Sequence, residues 1–121
     1  MRATDTNLKE RTKAYALRVM HLVESLPHTR TAEVIGRQLL RAATSVGANY
    51  RAACRAKSLA DFIAKMGIVE EEADESLYWM ELLIDSGLVT QNHLADLMDE
   101  GNALVAITVA SIKTARRSKT R

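Results

Sequence analysis

A seam of apolar side chains at helical spacing between Ser58 and Asp85 limits the folds open to this chain. The seam recurs every three or four residues, at Phe62, Met66, Val69, Ala73, Leu77, Met80 and Ile84. This spacing resembles that of a coiled coil and predicts a helix of about 28 residues with the seam facing the interior. Ser58 precedes the seam and Asp61 follows three residues later, as in a capping box at a helix start.

The same segment is apolar on a second side. That side is formed by Ala64, Ile68, Tyr78, Trp79 and Leu82, which lie roughly 100° to 160° or more from the seam on a helical wheel. A helix of a small monomeric bundle needs only one apolar stripe, so a second stripe indicates either a wide core contact or a subunit interface. We favour the interface, and its candidate residues are Ile68, Tyr78, Trp79 and Leu82.

The preceding segment, about residues 31–55, predicts a helix with an arginine stripe. Four arginines lie within about 40° of Arg37 on the wheel, namely Arg30, Arg41, Arg51 and Arg55. The packed face on the opposite side consists of Ile35, Leu39, Ala42, Val46 and Ala53. Together with Lys57, the stripe residues Arg30, Arg37, Arg41, Arg51 and Arg55 are the candidate nucleic-acid-binding residues.

The arginine stripe favours binding to nucleic-acid phosphates over recognition of bases. Guanidinium groups present forked donors to phosphate oxygens, and no Asn or Gln accompanies the stripe to read base edges. Asn49 lies on the flank of the packed face. There we expect a structural hydrogen bond to a neighbouring helix or to the following turn, because a buried amide needs a partner.

Two further helices complete the expected fold. The first spans about residues 5–26, with Asp5 or Thr6 as its cap and Pro27 as its end, and the fourth spans about 90–115. The basic end of the chain, 113–121, is expected to be frayed rather than packed. Four helices with short connections predict an all-α protein, a single domain over residues 1–121 built as an antiparallel, up-down-up-down four-helix bundle.

Composition excludes several other classes of protein. One Pro and one Phe in 121 residues leave few strand formers, whereas helix formers dominate. A lone cysteine, Cys54, excludes an intrachain disulfide, fits a reducing compartment and is expected to be half-buried. The chain shows neither the apolar run of a signal peptide nor that of a membrane span, so we expect a soluble cytoplasmic protein without membrane contact.

Catalytic and metal chemistry find no support in the sequence. His21, His28 and His93 fall on three different segments, and no Glu-x-x-His pair or glycine-rich phosphate loop occurs. The acidic run at 70–75 spreads around its helix instead of converging on a cation. We therefore expect no enzyme activity, no metal and no cofactor.

Charge is strongly segregated along the chain, although the net charge is only +2. Residues 26–57 hold six basic residues against one acid, residues 58–100 hold eleven acids against one lysine, and residues 101–121 hold five basic residues and no acid. Such asymmetry indicates complementary packing or a charged partner. Phosphate binding and pairing of the stripe with the acidic helix, within or between subunits, explain the pattern equally well. A protein adaptor that docks a partner at the acidic surface around Trp79 is a third reading.

The corner between the second and third segments is similar to a known family. SVGANYRAACRAKS, from 45, followed by DFIAKMGIVEEEADESLYWMELL, from 61, resembles the 23S rRNA intervening-sequence proteins, which include accessory proteins of diversity-generating retroelements. The matching positions are Ser45, Val46, Asn49, Arg55, Ser58, Asp61 and Phe62. Ala52 and Ala53 replace the Glu and Gly of the family pattern, and Tyr50 and Arg51 replace Ile and Ala.

This resemblance has implications that the residue pattern alone does not carry. It implies a bacterial four-helix bundle that assembles as a ring-like homopentamer, with a nucleic-acid-binding role and no catalytic activity. RNA or DNA would then be the partner, besides further copies of the chain.

Overall fold

The structure, a computed structural model, describes residues 3–119 of the chain and the side chains from 7 to 118. It contains four helices: α1 (Ala3–Glu24), α2 (Arg30–Cys54), α3 (Leu59–Asp85) and α4 (Gln91–Lys119). Connections of four or five residues join them, and no strand occurs within the described range. The predicted all-α fold is confirmed.

Side-chain caps explain where three of the helices begin. Thr29 Oγ1 accepts a hydrogen bond from the Ala32 N–H at 3.2 Å, and Thr90 Oγ1 accepts one from the His93 N–H at the same distance. Ser58 Oγ accepts from the Asp61 N–H at 3.0 Å. These bonds satisfy amides of the first turn that have no partner within the helix.

Contacts at two glycines of α2 show that α1 and α2 run antiparallel. A Cβ at Gly36 would lie 3.2 Å from Leu26, near the end of α1, whereas a Cβ at Gly47 would lie 3.2 Å from Thr12, earlier in α1. Gly101 of α4 lies against Leu77 of α3 in the same way. Four pairs of helices are in contact, namely α1 with α2, α2 with α3, α3 with α4, and α1 with α4. Therefore α1 and α3, and likewise α2 and α4, occupy diagonal corners of a four-helix bundle.

One polar contact crosses the interior of the bundle. The Tyr15 hydroxyl lies 2.7 Å from Ser76 Oγ, which itself donates to the Ala73 carbonyl at 2.6 Å. Both residues are fully buried. Burial raises the pKa of Tyr15 to about 12, although the hydrogen bond with Ser76 opposes the shift. This contact joins the diagonal helices α1 and α3.

The boundaries of α1 differ from those predicted. Because α1 already includes Ala3, Asp5 and Thr6 lie inside the helix and not at its cap, and their side chains are outside the described set. The helix ends at Glu24, before Pro27, with a tight turn in which the Ser25 N–H bonds to the Leu22 carbonyl at 3.0 Å. Proline disfavours helical backbone at the residue before it, so the helix stops early.

Helix α4 continues to Lys119, and the prediction that the chain frays from Lys113 is wrong up to that residue. Ile112 and Ala115 are both buried, which extends the apolar side of α4 by one turn. Leu104, on the same helix, is fully buried. Residues 120 and 121 lie outside the described range.

Gly87, two residues after the end of α3, has a φ of 79°. This left-handed conformation favours glycine and allows the chain to leave the helix. Within the described residues, no helix is both long and apolar enough to cross a membrane.

Candidate nucleic-acid interface

Arg41, one of the predicted stripe residues, is engaged by the acidic helix. Its Nη1 donates to Glu72 Oε2 at 3.0 Å and its Nη2 donates to Glu75 Oε1 at 2.6 Å. The hydrogen bond with Glu75 raises the pKa of Arg41, and the same bond lowers the pKa of Glu75. Glu75 Oε1 also accepts from Trp79 Nε1 at 3.3 Å. For this arginine, therefore, the structure shows pairing within the chain.

The other stripe residues are divided between the two ends of the bundle. Arg30 is the first residue of α2 and Arg37 lies two turns later, so both are on the half that adjoins the α3–α4 connection. Arg51 and Arg55 lie at the opposite end, beside the start of α3. All four are exposed. The ion pairs of Arg41 with α3 therefore interrupt the predicted stripe midway along α2.

Arg51 instead shares a groove with two lysines of α1. Lys9, Lys13 and Arg51 line this groove between α1 and α2. Its lining also includes the small residues Gly47 and Ala48, as well as Ala16, Thr12, Thr44 and one acid, Glu10. Gly47 is needed at this place because a Cβ there would lie 3.2 Å from Thr12 Oγ1, tighter than ordinary contact. The close approach of α1 and α2 brings the three cations together.

The carboxyl end of α4 reaches the same end of the bundle. Lys113 and Arg116 line a groove between α3 and α4, which Glu70 and Glu71 also line. The neighbours of α4 are α3 and α1, so its last turns lie at the end of the bundle where α3 begins, diagonally across from the end of α2. We call this surface the basic end, and it comprises Lys9, Lys13, Arg51, Arg55, Lys57, Lys113, Arg116 and Arg117.

Sequence reasoning missed the part of the basic end that α1 and α4 contribute. Lys9 and Lys13 are spaced four residues apart and so share one side of a helix, which was a usable signal. The wheel of α2 alone could not reveal them, since their proximity to Arg51 depends on how α1 packs. The α4 cations lie in the segment that was expected to be frayed, and the sequence analysis did not include them among the candidate binding residues.

The four predicted interface residues lie on α3, but their side chains are exposed to different extents. Ile68 and Tyr78 are 44% and 52% exposed. Trp79 and Leu82 are half-buried and pack partly against the core, with the Trp79 ring centroid 5.1 Å from that of Tyr78 in an edge arrangement. Val34 is 49% exposed and lies on the same side of α2 as Arg41, which faces α3. The sequence analysis did not include it among the candidate interface residues. The exposed apolar surface thus centres on Ile68 and Tyr78.

Three polar residues singled out in the sequence take structural positions. Asp61 Oδ2 accepts a hydrogen bond from the Lys57 N–H at 3.1 Å. In a standard capping box the donor would be the next amide, that of Ser58. Both oxygens of Asp61 also accept from Lys65 Nζ, at 2.6 and 2.7 Å. The Lys65 contact, followed by the Lys57 amide, lowers the pKa of Asp61. Asn49 Nδ2 donates to the Ser45 carbonyl at 2.8 Å. The expected bond from Asn49 to another helix is therefore replaced by one within α2.

Cys54 is exposed, so the expectation of a half-buried thiol is wrong. It is the last residue of α2, where the helix leaves the packed surface. Among the described side chains, no group of three or more His, Cys, Asp or Glu is placed to hold a metal ion.

Comparison with known proteins gives the same architecture. A sequence model of the 23S rRNA-intervening sequence proteins matches residues 4–110. The chain belongs to the 23S rRNA-intervening sequence protein family. None of the curated proteins matches it. A crystal structure of a protein of unknown function, from the S23 ribosomal protein family of Bacteroides thetaiotaomicron, is similar with a TM-score of 0.84 and 34% identity, over 90% of this chain and 97% of that one.

Within this member of the 23S rRNA-intervening sequence protein family, the residues that carried the resemblance build the corner between α2 and α3. Ser58 and Asp61 cap α3, and Val46 is fully buried in the core. Asn49 bonds to Ser45 inside α2. These positions are explained by folding, whereas the cations of the basic end lie on the surface around them.

Proposed function

We propose that this protein is a non-enzymatic, oligomeric bundle that binds nucleic acid through phosphate contacts at its basic end. The supporting observation is the groove in which Lys9 and Lys13 of α1 meet Arg51 of α2. Lys113 and Arg116 of α4 line a separate groove at the same end. Positive charge concentrated on one surface raises the local concentration of polyanions and steers their association. A net charge of only +2 does not preclude this, because the acids are concentrated elsewhere, on α3 and the start of α4.

Arg51 and Arg55 are the principal contacts in this proposal. Both are exposed, and neither forms an ion pair with any side chain that the structure describes. Their guanidinium groups are thus available to bind phosphate oxygens with two parallel donors. Neutralisation of about five phosphates would give a slope of roughly −4 to −5 for log K against log salt on a duplex.

Self-association through the outer side of α3 would strengthen such binding. Ile68 and Tyr78 are large exposed apolar residues on one helix, and exposed apolar groups of this kind are typical of subunit contacts. Each additional copy brings another basic end to the same ligand, which raises the apparent affinity without any new type of contact. The homopentamer implied by the family resemblance is one assembly of this type.

A binding experiment with charge-reversal variants tests the proposal. Fluorescently labelled DNA and RNA duplexes are titrated with the wild-type protein, with Arg51→Glu/Arg55→Glu and with Arg30→Glu/Arg37→Glu, and anisotropy is recorded at several salt concentrations. The two double variants change the same charge on the same helix, at opposite ends. We expect the first to bind at least about ten-fold more weakly, with a salt slope smaller by about two, and the second to bind like wild type.

Two results would overturn this function. One is no detectable binding by the wild-type protein at about 50 mM salt, where phosphate contacts are strong. The other is equal affinity of the two double variants, which would remove the basic end as the site. Circular dichroism and light scattering on each variant ensure that a lost interaction is not lost folding or assembly.

A further inference from the structure

The large exposed apolar side chains of the bundle form pairs on two helices. On α1, Leu17 and Met20 are 47% and 44% exposed. They are three residues apart in the sequence, so they share one side of that helix. On α3, Ile68 and Tyr78 are the two most exposed large apolar residues. The surface on α1 is therefore similar in kind to the one on α3, and both lack a partner within the chain.

These two surfaces point away from each other. On helical wheels, the α1 pair lies roughly 140° to 160° from the buried Tyr15, and the α3 pair lies roughly 120° to 160° from the buried Met66. Both pairs are thus on the outward side of their helices. Because α1 and α3 occupy diagonal corners of the bundle, their outward sides are on opposite sides of the molecule.

This arrangement bears on how copies of the chain associate. A contact with two-fold symmetry uses the same surface of both copies, so a contact of α3 with α3 would leave the α1 pair exposed to water. A contact between α1 of one copy and α3 of the next removes both surfaces from water. Burial of apolar surface therefore favours the second arrangement.

The charges of the two helices favour the same arrangement. Helix α3 holds eight acids against one lysine, whereas residues 7–24 of α1 hold four basic residues against two acids. Glu71 is exposed and follows Ile68 by three residues, and Lys13 is exposed and precedes Leu17 by four, so each charge shares a side with an apolar residue. Contact of α3 with α3 would bring like charges together, which is costly at an interface. Contact of α3 with α1 brings glutamates towards a lysine.

We infer that the outward side of α3 in one copy, with Ile68 and Tyr78, packs against the outward side of α1 in a second copy, with Leu17 and Met20. This inference rests on the proposed function, which includes self-association through α3, and it names the surface that α3 contacts. Each copy then uses two different surfaces and has room for two neighbours. Assemblies larger than a dimer form in this way from a single type of contact.

Mixing two single variants tests this contact. Leu17→Glu alters only the α1 surface and Ile68→Glu alters only the α3 surface. Molar mass is measured by light scattering for each variant alone and for their equimolar mixture. We expect each variant alone to be a monomer and the mixture to contain a dimer with one copy of each, because the intact α3 surface of the first packs against the intact α1 surface of the second. A mixture that remains monomeric would show that the two surfaces do not meet.

The same masses separate failure of this inference from failure of the proposed function. If Leu17→Glu keeps the wild-type mass while Ile68→Glu loses it, α3 contacts another surface, and the inference is wrong although self-association through α3 stands. A monomeric wild type overturns both the inference and the oligomeric part of the proposed function. Nucleic-acid binding is judged independently, by anisotropy with the wild type and with Arg51→Glu/Arg55→Glu.

Charge reversal gives a second test that leaves the apolar residues in place. Lys13→Glu and Glu71→Lys should each weaken association by about ten-fold or more, and the combined variant should recover most of the loss. Mass is measured over a range of protein concentrations and without nucleic acid, because Lys13 also lines the groove with Arg51. Unchanged association of Lys13→Glu, or stronger association of Glu71→Lys, would indicate contact of α3 with α3 and overturn the inference. Both residues are exposed, and circular dichroism verifies that each variant is folded.

Discussion

Arg41 Nη2 on α2 lies 2.6 Å from Glu75 Oε1 on α3, and this contact separates Arg41 from the other arginines of its helix. A wheel drawn from the sequence places all of them on one side. The structure shows that Arg41 points towards the acidic helix, where Glu72 provides a second oxygen at 3.0 Å. An arginine already bonded to two carboxylates is a poorer phosphate ligand than Arg51 or Arg55.

Replacement of Arg41 by alanine should therefore leave nucleic-acid affinity nearly unchanged. We expect a difference of less than about two-fold from wild type, because the guanidinium is already bonded to Glu72 and Glu75. Anisotropy with the duplex probe measures this, and Arg51→Ala serves as the matched control with reduced affinity. A drop as large as that of Arg51→Ala would show that Arg41 leaves its partners to bind phosphate.

The buried contact between Tyr15 and Ser76 predicts a loss of stability in alkali. The unfolded chain releases the tyrosine proton near pH 10.0, whereas burial delays release in the folded chain to about pH 12. Between these values the unfolded state binds fewer protons, so the free energy of unfolding falls as pH rises, by about 2 to 3 kcal/mol in total. Below pH 10 this group makes no pH-dependent contribution.

Urea unfolding between pH 8 and pH 11.5 of the wild type and of Tyr15→Phe checks this behaviour. The variant should be less stable at pH 8 by about 1 kcal/mol, since a hydrogen bond to Ser76 is lost. The gap between the two proteins should narrow above pH 10, because only the wild type carries this ionisable group. A constant gap across the range would contradict the assigned pKa.

The extent to which the sequence predicts this molecule follows from the range of the forces involved. The cap at Ser58 depends on neighbouring residues in the chain, and it was predicted correctly. The groove that Lys9 and Lys13 form with Arg51 depends on the rotation of α1 against α2, which the spacing of residues on each helix does not specify. For the same reason the candidate site was predicted on one helix, whereas the groove is lined by two.

Gly101 and Gly67 predict opposite results for the same substitution. A Cβ at Gly101 would lie 2.8 Å from both Leu77 Cδ2 and the Tyr15 hydroxyl, so Gly101→Ala should destabilise the bundle by about 1 to 3 kcal/mol despite the better helix propensity of alanine. A Cβ at Gly67 would meet nothing within 4 Å. Gly67→Ala should instead stabilise by about 0.5 to 1 kcal/mol. Urea unfolding of the two variants compares them, and destabilisation by Gly67→Ala would contradict the helix-propensity argument.

Introduction of a charge at Ile68 should dissociate the proposed oligomer. Ile68 is 44% exposed in the single chain, so Ile68→Glu does little to the fold, but a buried glutamate at a subunit contact is costly. We expect light scattering to give a smaller mass for this variant than for wild type, and duplex affinity to fall with the number of basic ends. Ala106→Glu, at an exposed position on α4, adds the same charge outside this surface and should keep the wild-type mass.

A wild-type protein that is monomeric at micromolar concentration would contradict self-association through α3. Ile68 and Tyr78 would then be an apolar surface for another protein, which is the adaptor reading of the sequence. If instead the wild type is oligomeric and Ile68→Glu retains its mass, assembly uses a different surface, and the exposed Leu17 and Met20 of α1 become the next positions to change. In both cases the basic end is tested separately by the Arg51→Glu/Arg55→Glu variant, because its cations lie apart from this side of α3.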